Sequence, residues 1–187
     1  MKKVLIVAGS PRKNGNGDAM AAAVEKGVLA AGGEAETFVI RDKKVNGCVG
    51  CGACRKLGRD CVQQDDYAPI PAKIREYDAL VILAPVYFSH VNAQTKAFID
   101  RTYCVPWGEK GFGEKSAEKK IGVVLTFGSA PLDAMGALAA QVAGYYGVRG
   151  IKQFKSVLAR GCGALDTCAK NEEYLAAAEE LGRWLAE

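Results

Sequence analysis

Val4-Leu5-Ile6-Val7-Ala8-Gly9-Ser10-Pro11-Arg12-Lys13-Asn14-Gly15-Asn16-Gly17 is the stretch that decides the architecture of this chain. Its first five residues are apolar without a break and end at glycine, the pattern of a strand buried on both faces in a helix-covered parallel sheet. The polar, glycine-rich remainder leads into an alanine-rich helix over 19–31 that carries Val24, Val28 and Leu29 and stops at Gly32-Gly33. Free amides at such a strand-to-helix junction, together with the helix dipole, attract an anion. Ser10 and Asn16 add side-chain donors, Arg12 adds a charge suited to phosphate, and Gly15 and Gly17 let the backbone come close. The P-loop string Gly-x4-Gly-Lys-[Ser/Thr] does not occur, and the dinucleotide fingerprint fails because Gly15-x-Gly17 is followed at the third position by Met20. A single phosphate monoester, as on a mononucleotide, is therefore expected rather than a pyrophosphate. Asp18 works against it, since a carboxylate in the first helical turn competes for the same dipole.

Outward from this stretch, strands are expected over 35–40, 79–84 with Pro85 closing it, 121–126 and 151–158. Helical patterns alternate with them: a short one opening at Asp65-Asp66 and reaching 77, then 91–102, a helix begun by Ser129-Ala130-Pro131 and ending at Gly147, and 172–186 behind Asn171. Strands alternating with helices imply a doubly wound, five-stranded parallel sheet with helices on both faces, because parallel strands need right-handed crossovers. Ligands bind such sheets at the carboxyl ends of the strands near the switch point, here the loops 9–17, 85–91 and 126–131. A proline-ended strand that delivers Tyr87 and Phe88 to this crevice suits a flat ring. His90, the only histidine, lies beside them and reads as a solvated loop residue.

The 187 residues suggest one domain, 1–187, with a cysteine-rich insertion at about 43–64. With 49% apolar and 25% charged residues the composition is that of ordinary globular proteins, which excludes disordered and fibrous readings. The net charge of +4 comes from scattered basic pairs, so neither a nucleic-acid stripe nor a polybasic membrane anchor is expected. The apolar run at 4–8 is too short for a signal peptide, and no apolar run approaches the roughly 18 residues of a membrane span. A cytoplasmic protein is the consistent expectation.

Seven cysteines stand out, four of them at Cys48-x2-Cys51-x2-Cys54-x6-Cys61. Without a secretory signal, clustered thiols point to metal or redox work rather than a disulfide framework. Three cysteines in one tight run favour a [4Fe–4S] cluster over zinc, which usually takes two separated Cys-x2-Cys pairs. Bare or disulfide-switchable thiols stay open as the other reading, as does zinc. Cys104, Cys162 and Cys168 lack ligand spacing and read as buried or incidental thiols.

Taken together, Gly9-Ser10-Pro11-Arg12 with Asn14-Gly15-Asn16, the cysteine segment running into Asp65-Asp66, Ala84-Pro85-Val86-Tyr87-Phe88 and Gln94-x-Lys96-x-Phe98-x-Asp100-Arg101 resemble the flavodoxin-like NAD(P)H-dependent FMN reductases, and among them the iron–sulfur flavoproteins. The resemblance implies FMN with its phosphate on Ser10, Arg12, Asn14, Gly15 and Asn16, and its ring against Pro85, Val86, Tyr87, Phe88 and Ser89, with Thr126, Phe127 and Gly128 on the other edge. The chain departs from that pattern at Gly17, where a threonine commonly supplies one more hydroxyl. The family further implies a homo-oligomer in which the cysteine loop and the loop 104–119 cover a neighbour's flavin.

The expected activity is transfer of hydride from NADH or NADPH to FMN, then of electrons to a flavin, a quinone or a small redox carrier, with Cys48, Cys51, Cys54 and Cys61 as cluster ligands on that path. No side chain is assigned a catalytic step, since the cofactor carries the chemistry. The rival readings are a non-enzymatic flavodoxin-type carrier and a cysteine-based redox sensor. Such carriers are usually acidic, and a sequence pI near 8.6 counts against the first.

Overall fold

In the computed structural model, which describes residues 1–106 and 108–187, the elements in chain order are β1 (Lys3–Ala8), α1 (Asn16–Ala30), β2 (Glu34–Val39), α2 (Ala53–Leu57), α3 (Ile70–Glu76), β3 (Ala79–Tyr87), β4 (His90–Val91), α4 (Ala93–Arg101), β5 (Lys120–Thr126), α5 (Leu132–Gly147), β6 (Gln153–Ala159) and α6 (Glu172–Ala186). Five strands form a parallel sheet in the order β2-β1-β3-β5-β6, with β4 folded back antiparallel on the end of β3. This is the doubly wound sheet expected from the alternation of elements, and its order reverses at β1 and β3, where two neighbouring loops part to opposite faces.

The alternation of side chains along each strand serves two cores. Leu5, Val7, Leu80, Ile82, Ile121 and Val123 point to one face and pack with Ile70 and Ile74 of α3, Phe98 of α4, and Leu138 and Val142 of α5. Val4, Ile6, Val81, Leu83 and Val124 point to the other and meet Met20, Val24 and Val28 of α1 and Leu181 and Leu185 of α6. Each such aliphatic side chain fully removed from water contributes about 1.5–3 kcal/mol. Continuous burial along β1, β3 and β5 is thus the direct outcome of covering both faces.

On the second face α1 and α6 approach to backbone contact. A Cβ built on Gly182 would stand 2.1 Å from the Val24 carbonyl oxygen, and one on Gly27 2.0 Å from that of Glu179, so only glycine fits at either position.

Several boundaries differ from the sequence expectation. β3 does not stop at Pro85 but runs to Tyr87. The last partner of β3 on β1 is the pair Ala8↔Leu83, so the missing proline N–H falls beyond the end of that neighbour, while Pro85 still stands opposite Thr126 of β5. The short helix starts at Ile70, because Asp65 and Asp66 are engaged in a turn. β6 starts at Gln153 and is exposed over its first four residues, as suits an edge strand. α6 spans the residues read from its pattern, and Asn171 Oδ1 accepts from the Tyr174 amide at 3.0 Å as its cap.

Candidate functional site

The loop after β1 is fixed from below. The Gly9 amide donates to the Leu83 carbonyl at 2.8 Å, and the Gly9 carbonyl accepts from Nδ2 of the buried Asn92 at 2.8 Å. Thr95 Oγ1 in turn donates to Asn92 Oδ1 at 2.6 Å, and a Cβ at Gly9 would fall 1.8 Å from that hydroxyl oxygen. Asn92 and Thr95, just before and within the first turn of α4, are therefore positioning residues for this loop. The signal for them was local: two polar residues three apart at the buried start of a helix, each needing a partner.

Farther along, Asn14 takes a left-handed backbone (φ 53°) and its amide donates to Asp18 Oδ2 at 2.6 Å. Arg41 Nη1 donates to Asp18 Oδ1 at 2.7 Å. The Asp18 carboxylate is thus spent on closing the loop and pairing with Arg41, which removes the competition with an anion expected from its position. α1 starts at Asn16, so the amides of Asn16 and Gly17 have no carbonyl partner within the helix and stand at its positive end. The Asn16 side chain is committed elsewhere: Nδ2 donates to the Ala164 carbonyl at 2.6 Å and Oδ1 accepts from the Cys168 amide at 2.7 Å. What Asn16 offers an anion is its backbone.

Gly17 lies against Ser10, and a Cβ there would come within 2.6 Å of Ser10 Cβ. Absence of the threonine hydroxyl at this position is therefore coupled to a buried serine that occupies its space.

A crevice of about 180 Å³ joins the three loops. Ser10, Arg12, Asn16 and Gly17 line it from the first, Pro85, Val86 and Tyr87 from the second, and Thr126, Phe127 and Gly128 from the third. Asn14 and Gly15 do not line it; Asn14 is exposed, and Gly15 packs beside Leu165. Phe88 and Ser89 form the two-residue turn between β3 and β4, both at positive φ (47° and 61°). Such a turn normally takes Asn-Gly, and holding two L side chains there costs about 1–3 kcal/mol each. The turn leaves Phe88 wholly exposed, with neither Phe88 nor Ser89 lining the crevice, and pairs half-buried His90 with Tyr87.

The fourth wall was not legible beforehand. Residues 160–168 fold over the crevice: the Cys162 amide donates to the Phe127 carbonyl at 2.8 Å, the Gly161 amide to Gly128 at 2.9 Å, and Arg12 Nη1 to the Gly163 carbonyl at 3.4 Å. Cys168 is buried as expected and Cys162 half-buried, and the fold brings their sulfurs to 3.4 Å, a contact that their spacing did not announce. Cys104 is buried as expected, and burial pushes its thiol up to about 11.

The cysteine segment is held at its base. Arg101, with no exposed side-chain surface, donates to both oxygens of Asp65 at 2.8 and 3.1 Å and to the Asn46 carbonyl at 2.9 Å. The Asn46 amide returns to Asp65 Oδ2 at 2.9 Å, and the Lys44 amide binds Asp66 Oδ2 at 2.7 Å. Against the cost of burial, the Arg101 hydrogen bonds and the Asn46 amide hold the Asp65 carboxyl below its ordinary value. The two ends of the segment are thereby clamped together. Above the clamp Cys48, Cys51, Cys54 and Cys61 all line one cavity of about 380 Å³, with Gly50 and Gly52 in left-handed backbone. The thiols do not converge into a preformed metal-ligand group among the described residues. Cys61 lies beside the Arg101 guanidinium, whose Nε is buried without a hydrogen-bond partner. A thiolate at Cys61 would answer that unpaired donor, so donor set and charge fit a sulfur-ligated cluster. No helix among the described residues is long and apolar enough to cross a membrane.

This architecture has relatives. An iron-sulfur flavoprotein of Archaeoglobus fulgidus is 42% identical over 108 residues, which are 58% of this chain and 48% of that protein. An iron-sulfur flavoprotein of Methanosarcina thermophila is 35% identical over 126 residues, 67% of this chain and 63% of that one. The chain thus matches only about half to two thirds of the length of these relatives. Among solved structures, an NAD(P)H:quinone oxidoreductase from Methanothermobacter marburgensis superposes with a TM-score of 0.75 at 19% identity, covering 100% of this chain and 98% of the other. An FMN-dependent NADH-azoreductase from Bacillus anthracis, solved with FMN, superposes at 0.72 and 15% identity, covering 100% of both. These two likenesses establish the fold, flavodoxin-like. The family model for NADPH-dependent FMN reductase matches residues 2–164, and the chain belongs to that family.

Proposed function

We propose that residues 1–187 act as one flavin-binding unit, an oxidoreductase that takes hydride from NAD(P)H onto FMN and passes electrons to a small-molecule acceptor or a small redox carrier. The observation that carries this reading is the meeting of three strand-end loops in one crevice at the β1/β3 switch point. Arg12 and the amides at 16 and 17 hold the phosphate monoester, and Ser10 adds its hydroxyl. Pro85, Val86 and Tyr87 give the ring an apolar edge, and Thr126, Phe127 and Gly128 the opposite one. Asn92 and Thr95 hold the loop in place before any ligand arrives. When bound, FMN supplies hydride acceptance and onward electron release. Cys48, Cys51, Cys54 and Cys61 would hold a [4Fe–4S] cluster, which supplies one-electron transfer. The reading of the cluster is supported by the iron–sulfur flavoprotein relatives and by the unpaired Arg101 Nε beside Cys61. The homo-oligomer that the resemblance implies, with the cysteine loop and the loop 104–119 over a neighbour's flavin, would also cover the exposed Phe88.

Anaerobic purification followed by absorption spectra, iron and acid-labile sulfide assay, and mixing with NADPH and NADH tests the reading. Flavin bands that bleach on mixing are expected, and Arg12→Ala should weaken FMN about tenfold or more, the range of a lost hydrogen bond to a charged group. A colourless protein that takes up no added FMN overturns the flavin site. Flavin that both nucleotides leave oxidised returns the protein to the carrier reading, and zinc or no metal overturns the cluster.

A further inference from the structure

Cys162 and Cys168 lie on the loop that walls the crevice, far in sequence from the cysteine segment and bound to the first turn of α1. Asn16 fixes this loop by accepting from the Cys168 amide and donating to the Ala164 carbonyl. Within it the two sulfurs are in contact at 3.4 Å, and Cys162 Sγ also lies 3.2 Å from the Ala159 carbonyl oxygen. Their surroundings are unequal. Cys162 is half-buried and lines the crevice beside Ser10 and Arg12, where a small solute can reach it; Cys168 is fully buried behind it.

We propose that Cys162 and Cys168 are a peroxide-reactive dithiol, in which Cys162 attacks and Cys168 resolves to an intramolecular disulfide. In the first step the Cys162 sulfur attacks one oxygen of a hydroperoxide, the O–O bond breaks, and the thiol proton leaves with the departing oxygen as alcohol or water. Cys162 is then a sulfenic acid. In the second, the Cys168 sulfur attacks the Cys162 sulfur, the S–OH bond breaks, and the Cys168 proton leaves with hydroxide as water. Two thiols are oxidised by two electrons and one hydroperoxide is reduced by two. The order of roles follows from access, since Cys162 lines the crevice and Cys168 is buried behind it. Access to Cys162 runs through the crevice beside Ser10 and Arg12, so FMN bound there should slow the oxidation without changing its product.

The sequence supplies a convenient reporter, because Arg160 and Lys170 place both cysteines in one tryptic peptide, 161–170, that contains no other cysteine. The full chain, reduced and freed of reductant, is titrated with hydrogen peroxide, alkylated, digested and weighed. The expected product is that peptide lighter by two hydrogens and closed to alkylation. Cys168→Ser should abolish the disulfide and leave a sulfenic acid at Cys162 that dimedone captures. Cys162→Ser should slow oxidation of the peptide about tenfold or more, since the remaining thiol is buried. Cys168→Ala provides the same readout if serine at the buried position disturbs folding. A peptide that still takes two alkyl groups after peroxide has consumed a free thiol added to the same solution overturns the proposal, as do equal oxidation rates in the two single variants.

Discussion

The loop at 9–17 and the segment at 43–64 both leave the sheet to line a cavity, yet they are held in opposite ways. The first is fixed along its length, by Asn92 and Thr95 beneath Gly9, by Arg41 and Asp18 across its bend, and by Ser10 filling the space beside Gly17. The second is joined at its base by Arg101 and Asp65 and touched farther along only by side chains, Asp60 on Arg75 and Arg55 over Tyr103, while its glycines 47, 50 and 52 have nothing within 4 Å of a built Cβ. One region is a cradle shaped by the fold; the other is a tethered span whose glycines leave it room to move.

The largest way to break this contrast is to cut the tether. Arg101→Met leaves the Asp65 carboxylate buried without its partner, which should cost about 3–5 kcal/mol in urea unfolding. Arg101→Lys should fall between, because it keeps the charge and loses the two-pronged contact. An unchanged midpoint in Arg101→Met would show that the pair is not the anchor. Gly17→Thr tests the cradle. Although it restores a hydroxyl, its Cβ collides with Ser10, so destabilisation of about 1–3 kcal/mol and weaker FMN uptake are expected. Tighter FMN binding would refute the packing account.

Acid probes the tether more gently. The Asp65 carboxyl titrates below its ordinary value of 3.8, so its contribution is complete above that pH and is lost as pH falls through the lower folded value. The urea unfolding midpoint should fall in that acid window, and Asp65→Asn, itself less stable at neutral pH, should flatten the fall. The smallest effect belongs to Gly50→Asn. Open space surrounds this position and its φ of 65° suits asparagine, so a change below about 1 kcal/mol is expected in thermal unfolding. A larger loss would mean that the span is packed after all.

The sheet was legible because β1, β3 and β5 are buried on both faces and write themselves as unbroken apolar runs. Pro85 misled, since whether a strand may continue through proline depends on where its neighbour stops, and β1 stops two residues earlier in register. The three crevice loops were legible from their place at strand ends. The wall at 160–168 was not, because its bonds to Asn16 span about 150 residues and leave no local pattern. Asp65 and Arg101 were visible as letters within the family likeness, but their pairing across 36 residues emerges only in the fold.

The contact between α1 and α6 sets a limit on exchange among relatives. The family match ends at residue 164, before α6, yet Leu181 and Leu185 cover the same sheet face as Met20, Val24 and Val28. Gly27 and Gly182 let the two backbones meet as lock and key, so neither helix can be transplanted into a homologue unless its partner glycine travels with it. A chimera joined at 164 cuts the wall that Asn16 holds through the Cys168 amide, and it must also bring a helix whose backbone can meet α1.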